Sequence, residues 1–93
     1  MTIKTKTPTA KIIIVDDSNT IRSVLRSLLA SEGHEILGAF SSGRNLIEAV
    51  GELGPDIICL DYNLPGVNGL DLLKEIHTAH PSVAVVMITG NES

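Results

Sequence analysis

Two short runs of apolar, mostly β-branched residues, each stopped at once by aspartate, constrain this chain more than any other feature. Ile12, Ile13, Ile14 and Val15 run straight into Asp16 and Asp17, and Ile57, Ile58, Cys59 and Leu60 run into Asp61. Apolar runs without polar alternation suit strands buried on both faces, as in parallel sheets covered by helices. A third such run, Val83 to Ile88, ends at Thr89 and Gly90. His34 to Phe40 is weaker and contains Gly38, which suits a strand at a sheet edge.

The segments between these runs change period. Ile21, Val24, Leu25, Leu28 and Leu29 follow helical spacing, with Ser18 or Asn19 available as a cap and Gly33 as the stop. Ser41 and Ser42 offer caps for a second helix carrying Leu46, Ala49, Val50 and Leu53 on one face, ended by Gly54 and Pro55. Tyr62 to Gly69 has the composition of a loop, with Pro65 and Gly66. Asn68 and Asp71 then resemble a capping box for a third helix that buries Leu72, Leu73 and Ile76. Pro81 and Ser82 break the chain before the last strand. The alternation βαβαβαβ predicts a doubly wound α/β fold with right-handed crossovers, and 93 residues suit one small domain.

Charge narrows the function. The chain carries a formal net charge of −4, with 7 basic and 11 acidic residues. Lys4, Lys6 and Lys11 lie in a stretch without acids, so the remainder is strongly acidic. A phosphate-backbone footprint needs clustered Lys and Arg, and no direct nucleic-acid binding is expected. No apolar run approaches the ~20 residues of a membrane span, and Met1 to Ala10 has no apolar core like a secretory signal. Residues 1–10 are expected to form a disordered leader and 11–93 the folded domain. One cysteine, Cys59, precludes an internal disulfide framework and fits a cytoplasmic protein.

Ligands of open parallel sheets sit beyond the carboxyl ends of the strands. Parallel strands would therefore bring Asp16, Asp17, Asp61 and Thr89 to one edge. A single aspartate there is more often a helix cap, but three converging carboxylates repel one another by about 1 to 4 kcal/mol per pair and call for a cation. All-oxygen donors without paired His or Cys favour Mg²⁺. Neither G-x-G-x-x-G nor G-x-x-x-x-G-K-[ST] is present, which disfavours dinucleotide and P-loop nucleotide binding.

The stretches KIIIVDDSNTIRSVLRSLL, DIICLDYNLPGVNGLDLLKEI and VAVVMITG together resemble the receiver domain of two-component response regulators over Lys11 to Gly90. The resemblance implies a flavodoxin-like sheet of order 2-1-3-4. It implies Asp61 as phosphoacceptor, taking a phosphoryl group from a histidine kinase or histidine phosphotransfer protein. It implies Mg²⁺ held by Asp16, Asp17, Asp61 and the backbone carbonyl of Asn63, with Asp16 assisting through water. Thr89 would contact the phosphoryl group and act in the switch, Gly90 would leave room for that group, and Pro65 and Gly66 would shape the adjoining turn. Asn68 stands where the family often has Asp. Such a domain is a self-phosphorylating signalling switch rather than a turnover enzyme.

Receiver domains normally continue with a fourth helix, a fifth strand bearing a lysine and an aromatic residue, and a fifth helix. This sequence is expected to be an incomplete receiver domain lacking them, and neither Lys74 nor Lys11 replaces that lysine. Its apolar fourth strand would become an edge, so self-association through that strand is expected. The alternative function is a phosphorylation-independent dimerisation or docking module. A Mg²⁺-dependent phosphohydrolase is disfavoured because Asn63 stands where its general acid would be. Cys59 reads as a core thiol, His77 and His80 as surface residues, and Arg22 and Arg26 as either a docking face or a solvated helix surface; His34 carries no signal.

Overall fold

The computed structural model describes residues 9–88. Within them the chain runs β1 (Lys11–Val15), α1 (Asn19–Ser31), β2 (Glu35–Phe40), α2 (Leu46–Leu53), β3 (Ile57–Asp61), α3 (Gly69–Ala79) and β4 (Ala84–Ile88). All strand pairings are parallel and the sheet order is β2-β1-β3-β4. This is the flavodoxin-like receiver order expected from the sequence. Residues 1–8 of the expected leader, together with Thr89 and Gly90, lie outside the described residues. Ala10, assigned to the leader by composition, is half-buried against the sheet, and its N–H donates to His34 Nδ1 at 3.0 Å.

The apolar runs form strands because both faces are covered. Ile13, Val15, Ile58 and Leu60 point to one side, where Leu46 and Val50 of α2 and Leu72 and Ile76 of α3 complete the main core. Ile12, Ile14 and Cys59 point to the other side, against half-buried Leu25 and Leu29 of α1. Cys59 is thus the core thiol expected, and burial pushes its pKa up. The residues of this thin second layer alternate with those of the first along β1 and β3, as the period of a strand requires.

The predicted face of α1 is only partly covered. Ile21, Val24 and Leu28 are 40%, 47% and 57% exposed, and Val86 on the same side of β4 is 49% exposed. The reason is width. Four strands span roughly 14 Å at about 4.8 Å spacing, whereas one helix is about 10 Å across. Among the described residues α1 alone lies on this face.

Other local expectations are narrowed, met or corrected. Leu73, expected in the core, is half-buried beside β4. Ser18, not Asn19, caps α1, its Oγ accepting from the Ile21 N–H at 3.2 Å. Ser41 and Ser42 do not cap α2; Asn45, at φ 58°, precedes the helix with no side-chain cap, because the chain must turn once more to bury Leu46 to 2% exposure. Gly54, at φ 66°, ends α2 as expected, in the left-handed region that favours glycine. His80 is half-buried rather than on the surface, with Nε2 3.1 Å from the Ile47 carbonyl oxygen of α2.

Asn68 caps α3 as the sequence predicts, its Oδ1 accepting from the Leu70 and Asp71 N–H groups at 2.9 and 3.1 Å. Asn68→Ala is therefore expected to cost about 1 kcal/mol in denaturant unfolding, and Asn68→Asp to leave stability within a few tenths of a kcal/mol.

Candidate functional site

Register places the acids. Val15 pairs with Leu60 across β1 and β3, so the next residue of each strand, Asp16 and Asp61, leaves the sheet at the same edge. Asp17 follows on the turn into α1. One carboxylate oxygen from each of Asp16, Asp17 and Asp61 lies within 4.8 Å of the others. Asp16 and Asp61 are buried, at 5% and 7% exposure, while Asp17 is exposed. Asn63, Ser18 and Ile21 join them in lining an open cleft of about 230 Å³. A roomier hollow of about 550 Å³ between α3 and β4 is walled by Leu73, Val83 and Val85 and gathers no acids. The convergent chemistry is in the smaller cleft.

The two buried acids are each held by their own turn. The Asp16 N–H donates to the Phe40 carbonyl of β2 at 3.0 Å, and Asp16 Oδ1 accepts from the Ser18 N–H at 2.9 Å. Asp61 Oδ1 accepts from the Asn63 N–H at 2.9 Å. The loop beyond Asp61 is anchored by Leu64, which is 4% exposed. Its far end is fixed by Gly69: a Cβ there would stand 2.7 Å from the Tyr62 carbonyl oxygen, so only glycine lets α3 start this close to the strand end. Thr89 lies outside the described residues.

Two contributors are not evident from the sequence. Leu64 sits in a segment of loop composition, and its only signal is an apolar side chain between Asn63 and Pro65. Arg22, on the helix surface by its spacing, turns back onto the β1–α1 turn. Its Nη1 donates to the Asp16 carbonyl at 2.6 Å and its Nη2 bonds Asn19 Oδ1. A cation near the start of a helix with no acid in its first turn opposes the helix dipole, and that opposition is the available clue.

The electrostatics are those of a crowded cluster. Burial is the main cause that raises the Asp61 pKa above the ordinary carboxylate range; the Asn63 N–H opposes it, and the Asp16 charge and the hydrogen bond and charge of Asp17 add to the rise. The donor set fits a small hard cation. Oxygens around one Mg²⁺ at about 2.1 Å stand up to about 4.2 Å apart, close to the spread seen here, and no His or Cys joins the group.

The response regulator receiver domain family model matches residues 12–93. The chain belongs to that family. It is 34% identical over 80 residues to the chemotaxis protein CheY of Thermotoga maritima, covering 86% of this chain and 67% of CheY. It is 40% identical over 82 residues to a protein-glutamate methylesterase/protein-glutamine glutaminase of Geobacter metallireducens, covering 87% of this chain but 23% of that protein. The receiver domain thus spans about a quarter of that methylesterase. Among solved structures, the isolated REC domain of RcsB from Salmonella enterica serovar Typhimurium, determined with phosphomimetic BeF₃⁻, superposes with a TM-score of 0.83 at 26% identity, covering 92% of this chain and 65% of that one. As a receiver domain the protein is a signalling switch of two-component systems, a family that binds Mg²⁺ at an aspartate cluster and partners with histidine kinases or phosphotransfer proteins. No helix among the described residues is long and apolar enough to cross a membrane.

A raised Asp61 pKa means that the fold binds this proton more tightly than the unfolded chain does. The contribution favours the fold on the acid side and is lost as pH rises through the folded pKa. Asp61→Asn is therefore expected to stabilise the metal-free protein at pH 7 by on the order of 1 kcal/mol per neighbouring carboxylate relieved, and by less at pH 4. Thermal unfolding in chelator at both pH values checks this; a variant no more stable than wild type at pH 7 contradicts it.

Proposed function

We propose that Asp61 is the phosphoacceptor of this receiver domain and that Mg²⁺ is held by Asp16, Asp17, Asp61 and the backbone carbonyl of Asn63. The observation that carries this reading is the convergence of three carboxylates from two strand ends within 4.8 Å, two of them buried. Such a cluster is repulsive when empty and becomes favourable around a divalent ion.

Asp61 sits at the end of a central strand, with one oxygen occupied by the Asn63 N–H. A carboxylate oxygen of Asp61 attacks the phosphorus of a phosphohistidine. The new P–O bond forms as the P–N bond breaks, and the pair from that bond returns to the imidazole of the donor. Mg²⁺, when bound, offsets charge on the transferring phosphoryl group and favours ionised Asp61. Asp16 and Asp17 supply the remaining anionic ligands, and the Ser18 N–H keeps the Asp16 carboxylate in the cleft. Thr89 and Gly90 complete the proposal, Thr89 as donor to a phosphoryl oxygen and element of the switch, Gly90 as the residue leaving room for that group.

The donor in this reading is a histidine kinase or histidine phosphotransfer protein in the cytoplasm, and the domain, residues 11–93, works as a switch rather than a turnover enzyme. Self-association through β4 belongs to the same reading. It is supported by the exposure of Val86 and by a strand that pairs with β3 alone among the described strands. Sedimentation velocity should show a dimer weakened by Val86→Lys; a monomer at every concentration overturns that part.

The phosphotransfer reading is tested with a small acyl phosphate and intact-mass detection. Wild type should gain one phosphoryl group only when Mg²⁺ is present, Asp61→Asn should gain none, and Asp17→Asn should label at least about tenfold more slowly. Labelling of Asp61→Asn at the wild-type rate overturns it.

A further inference from the structure

Arg22 is the one cation bonded to the acidic turn among the described residues, and its two contacts are of a particular kind. Nη1 donates to the main-chain carbonyl of Asp16 at 2.6 Å, and Nη2 bonds the Asn19 side chain. The guanidinium makes no ion pair with Asp16, Asp17 or Asp61; it binds the peptide group that joins Asp16 to Asp17. Because that group is planar, fixing its carbonyl oxygen also fixes the direction in which Asp17 leaves it.

The two aspartates differ in how much they need this. Asp16 is already held by the Phe40 carbonyl at its N–H and by the Ser18 N–H at its carboxylate. Asp17 is exposed, and its placement depends on the peptide before it. Arg22 is half-buried and reaches the turn from the first residues of α1. A planar, two-pronged donor is well shaped for holding that peptide, since one prong takes the carbonyl while the other anchors on Asn19 and the head group cannot rotate freely.

Resting on the reading that the cluster holds Mg²⁺, we propose that Arg22 is a positioning residue of this site: it locks the Asp16–Asp17 peptide so that the Asp17 carboxylate faces Asp61, and it thereby strengthens binding of the ion. The proposal runs against simple charge reasoning. A cation beside an acidic cluster competes with a metal, so if Arg22 acted through its charge, removing it would tighten Mg²⁺ binding. If it acts by orientation, removing it weakens binding, as loss of a group that orients metal ligands does. The sign of the change separates the two.

The experiment is calorimetric titration of the protein with Mg²⁺, comparing wild type with Arg22→Met, Arg22→Lys and Arg26→Met. Arg22→Met keeps most of the apolar stem and should raise the Kd about tenfold. Arg22→Lys, with a single ammonium able to reach the carbonyl but no second prong, should recover part of the loss. Arg26→Met removes an equal charge from an exposed position one turn further along α1 and should leave the Kd unchanged or slightly lower. Asn19→Ala removes only the anchor of the second prong and should weaken Mg²⁺ binding severalfold; it also serves if thermal unfolding in chelator shows Arg22→Met to be unfolded. A Kd for Arg22→Met or Asn19→Ala at or below wild type overturns the proposal. A wild-type protein that takes up no Mg²⁺ overturns the reading of the cluster itself, and the proposal with it.

Discussion

The parallel pairing of β1 with β3 governs both the core and the cleft. With Val15 opposite Leu60, the apolar side chains of the two strands fall on matching faces and the acids that follow them emerge side by side. A slip of one residue would turn every side chain of one strand to the wrong face. A slip of two would restore the faces but move Asp16 relative to Asp61 by roughly 6.6 Å, more than the 4.8 Å that contains the whole cluster. Burial of Ile13, Val15, Ile58 and Leu60 to essentially zero exposure therefore positions the functional groups as well as stabilising the fold. The packing that drives folding and the geometry that gathers the carboxylates are set by one register.

That register forces like charges together, and the surrounding structure answers in two ways. Backbone donors take one oxygen each of Asp16 and Asp61, through Ser18 and Asn63, which lowers the cost of burying them without neutralising them. The guanidinium of Arg22 is used on the main chain instead. The cluster is thus left anionic and shaped, the condition under which a divalent ion has most to gain. A site built only for stability would have placed a cation between the acids.

Parts of this arrangement can be read from residues in order. The strands follow from runs too apolar to bear solvent, and the Asn68 cap follows from side-chain chemistry that acts within three residues. The departures share a cause. Ser41 and Ser42 are good caps by residue type, but burial of Leu46 shifts the start of α2 past them, to follow Asn45. His80 has the sequence surroundings of a surface residue because the carbonyl it meets, that of Ile47, lies 33 residues away. The apolar face of α1 is real, yet how much of it is covered depends on how wide the sheet is and what else lies on that side.

Which segments become strands, that those strands run parallel, and that Asp16, Asp17 and Asp61 end up at one edge are all written in the order of residues, because burial of branched side chains and the handedness of crossovers leave few other ways to fold. The spacing of the carboxylates, the burial of Leu64 and the turning of Arg22 onto the Asp16 carbonyl come from the folded packing instead. The first depends on the register between β1 and β3, which are far apart in the chain, and the last on a hydrogen bond to a main-chain atom, which leaves no trace in the identity of the residue that owns it.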